Sequence, residues 1–131
     1  MHAAIKAMWL TALRSGEYEQ GQGYLNNDGK FCCLGVLCDL AVKFGATTVE
    51  YPDGSEDPRD PARKAVRYGL AGSVGVLPES VREWAGLREF VGELRTPIEG
   101  EHLSKYSDLA SLNDFAGYTF HQIADVIEEQ F

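Results

Sequence analysis

Phe31-Cys32-Cys33-Leu34-Gly35-Val36-Leu37-Cys38-Asp39-Leu40 is the stretch of sequence that decides the fold. Apolar residues recur at helical spacing over residues 33–44, and Gly45 suits the end of a helix because it can adopt a left-handed conformation. Leu34 and Cys38 extend the apolar surface around the cylinder. The pattern therefore predicts a helix that is buried at the centre of the protein.

Two elements are predicted before this central helix. Apolar residues at helical spacing in residues 3–14 predict a first helix, which Ser15-Gly16 would end. Residues 24–32 then indicate two short strands joined by a turn at residues 26–29, because Asn, Asp and Gly tolerate the positive φ angles of such turns. We expect a helix followed by a hairpin.

Further strands and helices are predicted after the central helix. They are strands at 47–51 and 66–70, a helix at 78–85, and either a strand ended by Pro97 or a helical turn at 90–96. Near the C-terminus, Thr119 and Gln122 have the spacing of a capping box, in which each side chain bonds the other residue's backbone amide. The apolar stripe that follows, up to Phe131, predicts the last helix.

These elements predict one α+β domain over residues 1–131, with about four helices packed on a small antiparallel sheet. A chain of 131 residues with 44% hydrophobic residues is long enough for one core of this kind. The residues expected to share that core are Trp9, Leu37, Leu40, Trp84, Phe120, Ile123 and Ile127. The acidic, proline-rich stretch at about 52–64 is predicted to be an exposed excursion.

Charge and composition exclude several classes of function. The formal net charge of −8 has the wrong sign for non-specific binding to nucleic acid. The longest apolar runs are far shorter than the roughly 20 residues that cross a bilayer, so no membrane partner is expected. We expect a cytoplasmic protein, located in the host cell's cytoplasm if a phage encodes it.

The three cysteines, at positions 32, 33 and 38, are an odd and clustered set, which favours reduced thiols over a disulfide framework. Their spacing does not match a zinc site, so no metal is predicted. The glycines at 69, 72 and 75 lack the spacing of a dinucleotide-binding motif, so no cofactor is predicted either.

Cys33 permits a catalytic hypothesis, because it begins a helix directly after a strand, where a thiol can be activated as in papain-like hydrolases. A general base would be required, and His102 and His121 are the two candidates. The residue that orients the base would be one of Asp39, Asn113 and Asp114. The alternative interpretation is that Cys33 is a buried core residue and that both histidines are solvated.

The loop from Arg14 to Gly23 is the best candidate for ligand recognition. It combines a guanidinium group for anions, the ring of Tyr18 for stacking, and glycines that allow close approach to the backbone. We expect Arg14 and Tyr18 to face one cleft, although a tight structural connection is the competing interpretation. The candidate ligand-binding residues are Arg14, Tyr18, Gln20, Gly21, Gly23, Asn113 and Asp114. The last two could equally form a turn between helices.

Three segments together carry a family resemblance: residues 9–25, residues 31–40 with F-C-C-L-G-V-L-C-D-L, and residues 112–128 with L-N-D-x2-G-x-T-F-x2-I-A-D. They resemble a family of small uncharacterised proteins found largely in bacteriophages and prophage regions. The resemblance implies a phage context and no particular reaction. We therefore expect a non-catalytic accessory protein that binds a host protein or a small nucleotide-type signal, in counter-defence. The alternative is a papain-like cysteine hydrolase or transferase that uses Cys33.

Overall fold

The computed structural model describes residues 1–51 and 65–131, so the excursion predicted at about 52–64 lies outside the described residues. The helices are α1 (Ala3–Arg14), α2 (Cys33–Lys43), α3 (Glu79–Ala85), α4 (Leu109–Asp114) and α5 (Phe120–Gln130). The strands are β1 (Glu19–Gln20), β2 (Asn26–Asn27), β3 (Lys30–Phe31), β4 (Val49–Glu50), β5 (Arg67–Tyr68), β6 (Glu93–Glu99) and β7 (Lys105–Asp108). The α+β class predicted from the sequence is confirmed. None of the helices in the described ranges is long and apolar enough to span a membrane.

The described strands form three small sheets in place of the single sheet that was predicted. The first has the order β1-β3-β2, the second pairs β4 with β5, and the third pairs β6 with β7. In the first sheet, β2 and β3 form an antiparallel hairpin as predicted, but β2 consists of Asn26 and Asn27, which were expected in the turn. Strand β1 joins β3 in parallel. Most of these strands have two residues, which is too short to support one continuous sheet.

Helix α2 lies at the centre of the molecule, as predicted, and seven of its eleven residues are buried. Trp9 of α1 donates a hydrogen bond from its indole nitrogen to the Cys33 carbonyl oxygen at 2.9 Å. On another side, α2 approaches the β2 hairpin so closely that a Cβ atom on Gly35 would lie 1.6 Å from the carbonyl oxygen of Leu25. Glycine is therefore required at position 35, because backbone atoms occupy the space of a side chain.

The predicted core exists, with two of its members at the edge. The fully or nearly fully buried members are Trp9, Leu37, Phe120, Ile123 and Ile127. Leu40 and Trp84 are partly buried and pack against this cluster. The Trp84 ring lies 6.0 Å from the ring of the exposed Phe44, measured between ring centres.

Two local predictions near the C-terminus have different outcomes. The capping box of Thr119 and Gln122 is present at the start of α5. The segment at 90–96 contains the start of a strand, but that strand runs past Pro97 to Glu99. The pairing of β6 with β7 shifts register between Glu93 and Ile98. A proline, which has no amide hydrogen to donate, is tolerated within such an irregularity, so it does not end the strand.

Candidate functional site

Asn113, in the last turn of α4, is a buried hydrogen-bonding centre that joins remote parts of the chain. Its Oδ1 atom accepts hydrogen bonds from the Gln20 side-chain amide at 2.9 Å and from the Cys33 backbone amide at 3.2 Å. Its Nδ2 atom donates to the Gly21 carbonyl oxygen and to Asp114 Oδ1, both at 2.9 Å. These four bonds use the full capacity of the side-chain amide, which stabilises a polar group in the interior.

Gln20 provides further bonds from β1 to the segment that follows α4. Its Nε2 atom donates to the Tyr118 carbonyl oxygen at 2.8 Å, and its Oε1 atom accepts from the Phe120 backbone amide at 3.1 Å. The Gly23 backbone amide donates to Asp114 Oδ1 at 3.0 Å. The structure thus brings together five of the predicted site residues: Gln20, Gly21, Gly23, Asn113 and Asp114.

An open groove lies beside this network. Its lining residues are Gln20, Gly21, Gln22, Lys30, Gly117, Tyr118 and Thr119. Lys30 faces Gly21 across the parallel pairing of β1 and β3, where a Cβ atom on Gly21 would lie 2.8 Å from the Cβ of Lys30. The Lys30 ammonium lies 3.9 Å from Glu19 Oε1, a long and exposed ion pair that leaves the cation accessible.

Arg14 turns away from the groove and binds α5. Its Nη2 atom lies 2.8 Å from Asp125 Oδ1 and 2.9 Å from Glu128 Oε2. The hydrogen bond to Glu128, followed by the one to Asp125, raises the pKa of the guanidinium group. The side chain forms a charged surface link between α1 and α5.

Tyr18 turns to a different helix, α2. Its hydroxyl group donates to Asp39 Oδ2 and accepts a hydrogen bond from the Lys43 ammonium at 3.2 Å. Its ring meets the Phe31 ring edge to face, with 5.1 Å between the ring centres. Burial, and then the bond to Asp39, raises the pKa of the Tyr18 hydroxyl. Tyr18 and Arg14 therefore contact different helices, and neither lines the groove.

The Cys33 thiol is fully buried. Its Sγ atom contacts the Leu109 carbonyl oxygen at 3.6 Å, and the Cys33 backbone amide, which an oxyanion would need, is bonded to Asn113. Burial is the main cause that raises the pKa of this thiol well above its ordinary value. His102 and His121 are both exposed, and neither takes part in the hydrogen bonds of Cys33 within the described residues.

Sequence reasoning missed the groove residues Lys30, Gly117, Tyr118 and Thr119, whereas Gln22 lies in the predicted ligand loop. The sequence places Lys30 only in a hairpin strand, and no sequence pattern signals the parallel pairing of β1 with β3. The Thr119 capping motif placed the start of α5 correctly, and that start forms one wall of the groove. The groove therefore depends on a pairing between segments that the sequence presents as independent.

Comparisons with known proteins place the chain in a family without identifying an activity. A search of curated proteins and a search of solved structures each found no match. One family model, described as a domain of unknown function (DUF8296), matches residues 1–131. An uncharacterised family agrees with the resemblance that the motifs indicate. The chain belongs to the DUF8296 family.

Proposed function

We propose that the protein is a non-catalytic binding protein whose groove beside residues 20–22 and 117–119 recognises a small nucleotide-type ligand of a host cell. The observation that carries this proposal is the network of Asn113 and Gln20. Asn113 bonds Gln20 and Gly21 of one wall, and Gln20 in turn bonds the Tyr118 carbonyl oxygen and the Phe120 amide at the other wall. A groove with fixed walls binds with less loss of conformational entropy than one that must first become ordered.

The chemistry of the lining residues suits a nucleotide. Lys30 offers a positive charge for a phosphate group, and the partly exposed Tyr118 offers an aromatic ring for a base. Gln22 is exposed, and the one hydrogen bond that its side chain makes to the described residues, to the Asn113 carbonyl oxygen, is long at 3.5 Å. Its amide is therefore available for the polar edge of a base.

Two further observations support the non-catalytic and phage-related parts of the proposal. The only sequence-predicted nucleophile, Cys33, is buried with a raised pKa, which disfavours the reactive thiolate. The motifs resemble proteins of bacteriophages and prophages, which act inside an infected host cell. A host nucleotide signal is a ligand that such an accessory protein could bind to weaken a host defence.

Calorimetric titration with mononucleotides, cyclic mononucleotides and cyclic dinucleotides tests the proposal. We expect at least one of them to bind saturably, and the Lys30→Ala variant to bind it about tenfold more weakly, because a charge-assisted contact to phosphate is lost. Lys105→Ala is the matched control, since Lys105 is an exposed lysine of β7 that does not line the groove. Absence of binding across the panel, or equal weakening in the two variants, would overturn the proposal and favour a host protein as the partner.

Thiol reactivity tests the non-catalytic part separately. We expect iodoacetamide near neutral pH to modify the three cysteines of the folded protein slowly, because all three are buried. One cysteine that reacts rapidly, identified as Cys33 by mass spectrometry, would instead support the hydrolase alternative.

A further inference from the structure

A second cavity, of about 320 Å³, shares no lining residue with the groove. It lies where Met1, the turn after α3, the beginning of β6 and the end of α5 meet. Six of its lining residues are Gly86, Leu87, Arg88, Leu94, Arg95 and Gln130. The cavity is thus formed by segments that are distant in sequence.

Specific contacts hold the walls of this cavity in place. The Gln130 side chain bonds the backbone of Thr96 twice, accepting from its amide at 3.0 Å and donating to its carbonyl oxygen at 3.1 Å. Gly86 ends α3 in the left-handed conformation, with a φ of 73°. Leu87 and Leu94 are each 6% exposed and provide buried apolar surface at the base. The cavity is therefore a built feature of the fold.

Two arginines in the lining have no anionic partner among the described residues. Arg88 and Arg95 are both exposed, and no carboxylate of the described chain lies within ion-pair distance of either guanidinium group. In contrast, Arg14 and Arg82 each form ion pairs with neighbouring acids. Both arginines line the same cavity, so a protein with a net charge of −8 places there two guanidinium groups that no carboxylate of the described residues neutralises.

Two acidic residues also line the cavity, and they differ in their contacts. The Glu89 carboxylate accepts hydrogen bonds from the backbone amides of Val91 and Glu93, at 2.9 and 2.5 Å, so its oxygens are engaged within its own turn. The Glu93 carboxylate has no cation within ion-pair distance in the described part of the chain. Glu93 therefore opposes the binding of an anion, and its removal should strengthen it.

We propose that this cavity binds a small oxyanion, the phosphate or carboxylate group of a metabolite, between Arg88 and Arg95. A guanidinium group donates two parallel hydrogen bonds to such a group, and two guanidinium groups can hold it from opposite sides. The apolar surface of Leu87 and Leu94 then contacts the uncharged part of the ligand. This site is independent of the groove and of the function proposed for it.

Titrations followed by the amide NMR signals of the intact protein test the site. The probes are inorganic phosphate in one arm and citrate in the other, both at constant ionic strength so that general screening does not change. We expect saturable shifts confined to Gly86, Leu87, Arg88 and the first residues of β6. A response to phosphate alone or to citrate alone identifies which oxyanion the site prefers, and each supports the proposal. Shifts that increase linearly without saturation for both probes would overturn it.

Five variants make the test specific. Arg88→Gln and Arg95→Gln should each weaken oxyanion binding about tenfold or more, while Glu93→Gln should strengthen it. Arg67→Gln is the matched control, because Arg67 is an exposed arginine outside the cavity. Equal weakening in Arg67→Gln and the two cavity variants would contradict the proposal. Oxyanion binding that persists in Lys30→Ala would separate this site from the groove, and loss of binding in that variant would contradict it.

Discussion

The Asn113 side chain bonds two regions of the molecule that differ in exposure to solvent, the buried start of α2 and the open groove. On the inner side, its Oδ1 atom accepts from the Cys33 amide, and the thiol of that residue is fully buried. On the outer side, its Nδ2 atom donates to the Gly21 carbonyl oxygen beside an open groove. The comparison teaches that a helix start with a well-placed cysteine is not a catalytic site when packing excludes water and substrate. Exposed polar groups on a rigid support, as on the outer side, are suited to recognition.

The largest expected effect is a loss of folding stability at alkaline pH, which the three buried cysteines cause. Burial raises the pKa of Cys32 to about 11 and raises the pKa values of Cys33 and Cys38 well above their ordinary value. Thiols of the unfolded chain ionise near about pH 8.5, so stability is complete below that pH and decreases as the pH rises. While all three folded thiols stay protonated, the loss approaches about 4 kcal/mol per pH unit.

Urea unfolding under reducing conditions, between about pH 7 and 10, measures this slope. Cys38→Ala is a suitable comparison, because it removes one of the three thiols and should lower the slope by about one third. A free energy of unfolding that is independent of pH in this range would mean that the thiols ionise in the folded protein, and would reopen the catalytic hypothesis.

The second expected effect concerns the contact between α2 and the β2 hairpin. Gly35→Ala places a Cβ atom 1.6 Å from the Leu25 carbonyl oxygen, so the helix and the hairpin must separate. We expect a loss of more than about 3 kcal/mol, because the clash is with backbone atoms, although alanine is the better helix former. Gly16→Ala is the control, because nothing lies within 4 Å of its Cβ position, and its left-handed φ of 77° should cost only about 1–2 kcal/mol. Similar losses in denaturant unfolding of the two variants would contradict the packing described for α2.

The third expected effect tests the network that supports the groove. Asn113→Ala leaves the buried Cys33 amide and the Gly21 carbonyl oxygen without their partner, which should cost about 3 kcal/mol. Gln22→Ala, on the exposed side of the same network, should change the free energy of unfolding by less than about 0.5 kcal/mol. Chemical denaturation of both variants gives the comparison. A loss below about 1 kcal/mol for Asn113→Ala would show that water replaces its bonds and that the groove walls are not fixed by them.

The smallest expected effect belongs to Arg14, the first residue of the sequence-predicted ligand loop. Its guanidinium group is held by Asp125 and Glu128 on the protein surface and does not line the groove. We expect Arg14→Ala to leave nucleotide binding unchanged and the melting temperature within a few degrees, since exposed ion pairs contribute little. A thermal melt beside the calorimetric titration measures both properties. Loss of binding in a folded Arg14→Ala protein would show that Arg14 contacts the ligand, as the sequence predicts.

Part of the candidate site, the residues of the Asn113 network, was predictable as a set of residues, and its geometry was not. Gln20, Gly21, Asn113 and Asp114 were candidates because polar and glycine residues in loops are suited to ligand contacts. No local pattern indicates that residue 20 bonds residue 113, since Gln20 lies in β1 and Asn113 in α4, and only the tertiary packing brings the two together. The roles of Arg14 and Tyr18 depend likewise on which helix lies beside each side chain, α5 or α2.

The sequence by itself determined the elements whose signals are local. Helical periodicity identified α1, α2 and α5, and the spacing of Thr119 and Gln122 identified the capping box, because these patterns depend on residues within a few positions of each other. Only the tertiary structure decided that β1 pairs in parallel with β3, that the strands form three small sheets, and that the Cys33 thiol is inaccessible. Each of these features depends on contacts between remote segments, where burial and backbone pairing outweigh the local preferences that a sequence pattern records.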